Sequence, residues 1–299
     1  MLKLNNIVKN FGALEAVKNI SFTAEQGVIF GLLGPNGAGK TTTLRIILDI
    51  LVPDSGTVTW QNEMIDEKML NYIGYLPEER GLYQDQNVFD VLMYTAAIKN
   101  VGRTKAKVDI VRHLDRFDMV EMADRKIGTL SRGNQQKVQL LAATIHNPHL
   151  VILDEPFSGL DPINQTIVRE YIIGLKKSGK AVLLSSHQME LVESLCDQIF
   201  LMNRGEMILQ GDLQTIRKQE SQGAIEIEAK DDITFLSAKD YITDLEYTKY
   251  GAIVHLDTGK NFDKLVQELV AKTRLRKLER KTPTLKDIFL NAIKKHNVS

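Results

Sequence analysis

Gly34-Pro35-Asn36-Gly37-Ala38-Gly39-Lys40-Thr41 sets Gly34 and Gly39 on either side of four residues, with a lysine and a threonine directly after Gly39. It meets the pattern G-x-x-x-x-G-K-[ST] without a mismatch. The chemistry follows from the residue types. Glycines let the backbone turn tightly enough for several N–H groups to converge on an anion. A helix starting at that point adds partial positive charge. The ammonium of Lys40 is expected at the β- and γ-phosphates of a nucleotide, and the hydroxyl of Thr41 on Mg²⁺. Thr42 extends the phosphate-binding set into the helix. The chain is therefore expected to bind a nucleoside triphosphate with Mg²⁺.

The flanking elements suit that task. Val28–Leu33 is an apolar run that reads as a buried strand, and Thr42–Leu48 has helical apolar spacing. Before them, Leu2, Leu4 and Ile7, then Ile20–Thr23, read as antiparallel strands around a turn at Gly12. Phe11, just before that turn, is either an adenine-stacking ring or a strand-end core aromatic. Pro53-Asp54-Ser55-Gly56 signals a turn into the short strand Thr57–Trp60. Tyr72–Leu76 is strand-like and ends in Pro77-Glu78-Glu79-Arg80-Gly81. From Val88 to about Ala123 the spacing turns helical, with a break at Asn100–Gly102. A further helix is expected from Leu130-Ser131-Arg132-Gly133-Asn134 to about Ile145. Leu150–Leu153 is an apolar strand ending in Asp154-Glu155-Pro156, a carboxylate pair that either caps a turn or faces the phosphates. Asp161-Pro162 starts a helix, with aspartate as N-cap and proline first inside. Ala181–Ser186 is the next buried strand and ends at His187. Strands alternating with helices, with polar residues at strand ends, indicate a doubly wound parallel sheet.

Near Asp212 the character changes. Residues 218–223 read as a polar linker, Ile225–Glu228 and Gly251–Leu256 as half-buried strands, and Phe262–Ala271 and Thr284–Lys295 as helices. The reading is residues 1–217 as a nucleotide-binding domain, with a helical subdomain at about 88–145. Residues 218–299 form a small α+β accessory domain. The last 28 residues hold nine Lys or Arg against two Asp or Glu. They are read as a solvated helix face, with a membrane-surface or partner contact as the alternative.

Composition removes several classes of function. Lys+Arg and Asp+Glu balance at 38 each, so no net field recruits nucleic acid. The single cysteine, Cys196, excludes a disulfide framework and a cysteine-rich zinc site, and reads as a small residue packed on a helix. No secretory leader is expected, since Met1–Asn5 leads straight into strand-like alternation, and no apolar run reaches membrane-spanning length. The expected location is cytoplasmic. Any role at a membrane requires a separate spanning subunit.

In chain order, the phosphate loop, Leu130–Asn134, Asp154-Glu155, Ser158–Asp161 and His187 together resemble the nucleotide-binding subunit of ABC transporters, over residues 1 to about 215. The C-terminal segment, with residues 282–289 near its end, resembles the extension on ATPases of ABC-2-type, sodium-efflux-like exporters. The resemblance implies an α/β P-loop NTPase of ABC type, with a mixed sheet core plus antiparallel β and helical subdomains and a small α+β C-terminal domain. It also implies ATP hydrolysis coupled to transport. On it, Asp154 holds Mg²⁺, Glu155 polarises the attacking water, and His187 contacts the γ-phosphate. Ser131, Gly133 and Asn134 close over ATP held by a second copy in a head-to-tail dimer, with Asp161 at the seam. A separate membrane permease is the other implied partner, holding the chain on the inner face of the membrane.

Two departures from the family pattern stand out. Arg132 and Asn134 replace a glycine and a glutamine of the usual Leu-Ser-Gly-Gly-Gln loop. Glu78 occupies the place of the usual glutamine, where its carboxylate can still ligate Mg²⁺ or the water, and Glu79 takes that role if the loop is shifted by one. The alternatives to a transport ATPase are a soluble ABC ATPase acting on the ribosome or DNA, and a degenerate cassette that binds ATP without hydrolysing it. Soluble ribosome-acting members usually carry two cassettes, and Lys40, Asp154, Glu155 and His187 are all intact here.

Overall fold

The computed structural model describes residues 1–298 except 80, 221–223, 258–260, 281 and 282, and leaves undescribed the side chains of residues 220 and 294–298. Arg80, Thr282 and residues 221–223 of the expected linker thus lie outside the described residues. The chain divides into two compact units, which part between Asp212 and Leu213.

The first unit is built on two sheets. Strands β1 (Leu2–Phe11), β2 (Leu14–Ala24), β4 (Ser55–Trp60) and β5 (Glu63–Met64) form an antiparallel sheet in the order β2-β1-β4-β5. The second sheet contains β3 (Ile29–Leu33), β6 (Ile73–Leu76), β7 (Leu150–Asp154), β8 (Ala181–Ser186), β9 (Gln198–Asn203) and β10 (Glu206–Asp212). Its order is β10-β9-β3-β8-β7-β6, parallel throughout except for β10 on β9. The core sheet is therefore mixed. The mixed core implied by the resemblance is present: β10 returns antiparallel at one edge, because only Arg204 and Gly205 join β9 to β10 and so short a connection cannot return a strand in parallel.

Apolar residues on one parity of the core strands, among them Phe30, Leu32, Ile152, Leu183 and Phe200, pack against Leu4, Ile20 and Phe22 of the antiparallel sheet. The rings of Phe22 and Phe30 stack at 4.9 Å. The other parity faces helices: a Cβ on Gly31 would meet Cys196 and Val192. With both faces covered, β7 and β8 need the unbroken apolar runs seen in sequence.

The helices of this unit are α1 (Lys40–Ile47), α2 (Val88–Ile98), α3 (Arg103–Arg116), α4 (Arg132–Thr144), α5 (Pro162–Lys177) and α6 (Met189–Leu195). Tyr72, expected in a strand, lies in a 3₁₀ turn that hands the chain to β6, its ring stacked on His149. Gly74 of β6 runs so close to α4 that a Cβ there would sit 2.1 Å from the carbonyl oxygen of Ala143. That approach brings α4 down onto the loop after β6.

The second unit, Leu213–Lys295, starts with α7 (Leu213–Glu220) and carries β11 (Ala224–Ala229), β12 (Ile242–Thr248), β13 (Gly251–Leu256), α8 (Phe262–Lys272), β14 (Leu275–Arg280) and most of α9 (Leu285–Val298). Its sheet is antiparallel in the order β12-β13-β11-β14, and Leu265 and Leu269 of α8 join its core. Two expectations need correction. Residues 218–220 finish α7 instead of forming a linker, since Leu213 and Ile216 supply buried anchors that the polar end rides on. Arg274, Arg276, Lys277 and Arg280 of the basic tail sit at or on β14, not on a helix face. Lys277 pairs with Glu226 at 2.7 Å, Arg274 with Asp231, and Arg280 lies over the Phe262 ring. Such charge suits an edge strand.

Candidate nucleotide site

In the core sheet β3, β8, β7 and β6 are consecutive neighbours and run parallel, so their C-terminal ends share one edge. The phosphate loop leaves β3, His187 follows β8, Asp154 and Glu155 end β7, and Glu78 follows β6. Residues spread over 150 positions meet there because open α/β sheets place sites at strand C-termini.

Local backbone shapes the phosphate loop. Gly39 has φ of 105°, and a Cβ there would lie 2.4 Å from the carbonyl oxygen of Ala16, so the position requires glycine. The next residue begins α1, whose first N–H groups lack helical partners and point at the loop. Lys40 is buried, and its Nζ donates to the carbonyls of Gly34 at 2.9 Å and Pro35 at 3.2 Å. Burial lowers its pKa below the ordinary lysine value, while Glu155, Asp154 and Glu78 pull it back up.

The acidic side is equally built. Thr41 Oγ1 donates to Asp154 Oδ2 at 3.2 Å, and the buried Ser185 hydroxyl donates to Asp154 Oδ1. The same hydroxyl accepts the backbone N–H of Glu155 at 3.1 Å. Glu155 is buried and has φ of 49°, left-handed backbone that a non-glycine residue adopts at a cost. Its Oε1 lies 2.8 Å from His187 Nδ1, so with Glu155 ionised that nitrogen carries the proton. Burial raises the carboxyl pKa of Glu155, against the lowering effects of His187 and Lys40.

Around these groups opens a cleft of about 830 Å³, lined among others by Phe11, Asn36–Thr42, Glu78, Asp154 and Glu155. Phe11 is 47% exposed and lies at the cleft, not in the core. The structure also supplies residues that sequence reasoning missed. Lys18 of β2 and Arg204 of the β9–β10 turn add cations to the lining, and Ser185 ties the two carboxylate residues together. Only Ser185 had a local signal, a hydroxyl closing an apolar run two residues before His187.

Ser131, Gly133, Asn134 and Asp161 do not line this cleft. Exposed Ser131 caps α4, its Oγ accepting the N–H of Asn134 at 3.3 Å, and Asn134 Nδ2 also reaches Met122 Sδ. Asp161 caps α5 by accepting two bonds from Asn164, which hold its carboxyl below the usual range. A Cβ on Gly133 would sit 3.0 Å from Asn164 Nδ2, so both caps share one surface.

The oxygen donors Thr41, Asp154 and Glu78 fit Mg²⁺, which takes one or two carboxylates and completes its shell with water and phosphate oxygens. Among the described residues no cluster of three His, Cys, Asp or Glu side chains could hold a metal unaided.

The family model described as "ABC transporter" matches residues 17–158. The "uncharacterized ABC transporter ATP-binding protein YhaQ" of Bacillus subtilis is 38% identical, over 98% of this chain and 98% of its own length. The chain belongs to the ATP-binding proteins of ABC transporters. Within that family, residues 211–293 match the C-terminal domain of DrrA1-3-like ATP-binding proteins, the ABC-2 exporter type. The "linearmycin resistance ATP-binding protein LnrL" of Bacillus subtilis is 38% identical over 71% of this chain and 69% of its own. A solved "ATP binding subunit of ABC transporter" superposes with a TM-score of 0.69 at 26% identity, covering 74% of this chain and 93% of that one. The fold is accordingly that of ABC ATPases.

Two predictions arise from this geometry. Ser185→Ala leaves the buried N–H of Glu155 unpaired and is expected to cost about 1–3 kcal/mol of stability, read by chemical denaturation. Unchanged stability would remove Ser185 from the account. The second concerns pH. Because the folded pKa of Glu155 is raised above 4.5, the folded state retains a proton that the unfolded state has lost. The stability contributed by this group is fullest below pH 4.5 and falls as pH rises through the folded pKa. A base role runs the other way, with the hydrolysis rate rising through that same raised pKa. The acid limb of kcat/KM, which reports the free protein, is expected above 4.5, and higher again in His187→Ala, which removes a group that lowers the Glu155 pKa. A limb that stays in place in the variant would contradict the pairing.

Proposed function

We propose that this chain binds Mg²⁺–ATP in the cleft of Lys40 and Asp154, hydrolyses it with Glu155 as base, and powers export through a separate membrane permease. The observation that carries this reading is the convergence of Lys40, Thr41, Asp154, Glu155 and Glu78 on one cleft, with His187 bonded to Glu155. Lys40 and the loop N–H groups hold the β- and γ-phosphates, and Phe11 offers its ring to the adenine. Thr41 and Asp154 would hold Mg²⁺, with Glu78 beside them, and the ion would supply charge neutralisation at the phosphates. Glu155, fixed by His187 and by Ser185, takes a proton from the attacking water.

Ser131 is exposed at the N-terminus of α4, a helix end that favours an anion, and it lies outside the chain's own cleft. We therefore infer a head-to-tail dimer in which this cap meets the γ-phosphate on the partner copy, with Asp161 near the seam. Among the described residues no helix is long and apolar enough to cross a membrane, so the pathway for cargo belongs to another chain. The chain then works in the cytoplasm, on the inner membrane face. Export follows from the DrrA1-3-like C-terminal domain and from a relative named for resistance to linearmycin. Balanced charge gives no basis for a nucleic-acid partner, and the relatives do not favour a ribosomal one.

Sedimentation velocity tests the dimer. With a non-hydrolysable ATP analogue and Mg²⁺, the wild-type mass is expected to double. Ser131→Arg is expected to bind nucleotide but stay monomeric. Dimerisation of Ser131→Arg like that of the wild type would remove the cap from the interface.

A further inference from the structure

Helix α4 starts at the Ser131 cap and runs back beneath both carboxylate-bearing loops. On its buried face two glutamines lie three residues apart, one helical turn. Gln136 Nε2 donates to the carbonyl of Pro156, next to Glu155, at 3.1 Å. Gln139 Nε2 donates to the carbonyls of Pro77 at 3.2 Å and Glu79 at 3.1 Å, straddling Glu78. Gln139 is only 4% exposed, and its Oε1 is buried without a hydrogen-bond partner among the described residues. A buried orphan acceptor costs free energy that an apolar side chain of similar size would avoid. Turning the amide over would aim its oxygen at two carbonyl oxygens, so both donors are needed where they are. The close approach of Gly74 to Ala143 holds the helix near enough for the clasp to form.

We propose that Gln139 is a positioning residue for ATP hydrolysis. By gripping the backbone on both sides of Glu78 it aims that carboxylate into the cleft and ties it to the helix that carries Ser131. The inference rests on the reading of Glu78 as a group facing Mg²⁺ and the attacking water. Glu78 itself is exposed and lines the cleft from a non-helical loop, so its own side-chain packing does little to fix it. A closing motion at Ser131 would then reach Glu78 through a single rigid helix, with no intervening loop. This ties formation of the dimer to assembly of the metal side of the site.

A double-mutant cycle on the full chain tests the link. Gln139→Met keeps the volume and removes both donors; Gln139→Glu keeps the shape and aims carboxylate oxygens at the carbonyls. Each is expected to lower kcat by about ten- to a hundredfold while leaving affinity for a fluorescent ATP analogue within about twofold, as a misaimed group does. The concentration of Mg²⁺ giving half the maximal rate is expected to rise. In a Glu78→Ala background the Gln139 changes are expected to slow the enzyme no further, because there is then no carboxylate to aim. Effects that multiply in the double variant, or folded Gln139 variants with wild-type kcat and Mg²⁺ dependence, overturn the proposal alone. A Glu78→Ala enzyme as fast as wild type instead removes the reading of Glu78, and the proposal with it.

Discussion

Glu155→Gln is expected to keep binding ATP and to lose turnover by about 10²–10⁴-fold, the range typical of a removed general base. The amide has the size of the carboxylate, so the turn at φ of 49° and the backbone bond to Ser185 remain. What disappears is the negative oxygen that His187 Nδ1 holds at 2.8 Å and that would take the proton of water. Removing that charge does not touch the phosphate-binding N–H groups or Lys40. The variant is thus expected to trap ATP and to accumulate the closed dimer, seen as a doubled mass that persists in ATP and Mg²⁺. Single-turnover hydrolysis separates the outcomes. Slow chemistry with bound ATP supports the assignment, whereas turnover near wild type contradicts it and moves the base elsewhere.

Lys40→Ala is expected to weaken ATP binding by about a hundredfold or more. Hydrogen bonds to charged groups contribute about 1.5–3 kcal/mol each, and about 1.4 kcal/mol is a factor of ten. The ammonium is the buried cation of the phosphate loop, already stripped of much of its water by the cleft. Because it is desolvated before the nucleotide arrives, its attraction for phosphate is weakly screened. The change also removes a cation that lowers the Glu155 pKa, so any residual rate should show its acid limb at higher pH. Calorimetric titration with ATP measures the affinity directly. An affinity equal to wild type would show that backbone N–H groups alone hold the phosphates.

Where one short segment carries both fold and chemistry, the sequence was legible. The phosphate loop needs its glycines, lysine and threonine adjacent, so its spacing is a local signature. The buried strands β7 and β8 announce themselves by unbroken apolar runs, and the residues at their ends follow. Asp161-Pro162 marks the start of α5 because cap and first-turn proline are also local. What stayed hidden is whatever depends on a neighbour distant in sequence. Lys18 and Arg204 reach the cleft from separate elements, and nothing around either residue points to phosphate. Gln139 reads as an ordinary polar position of α4 until β6 is placed beside it. Strand β14 hides for a different reason: its leucines are spaced by three, and the partner of Lys277, Glu226, lies on β11, 51 residues away. The adenine ring assigned to Phe11 illustrates the boundary. Sequence left two roles open, and the structure places the ring, 47% exposed, at the cleft.

Recovery of the tagged chain from gently solubilised membranes of its native cell, with its partners identified by mass spectrometry, tests the transport reading most directly. A polytopic membrane protein recovered in stoichiometric amount, and raising the ATPase rate of the chain, is the predicted result. Recovery with ribosomes or nucleic acid and no membrane partner would leave the ATP site standing and contradict the role in export.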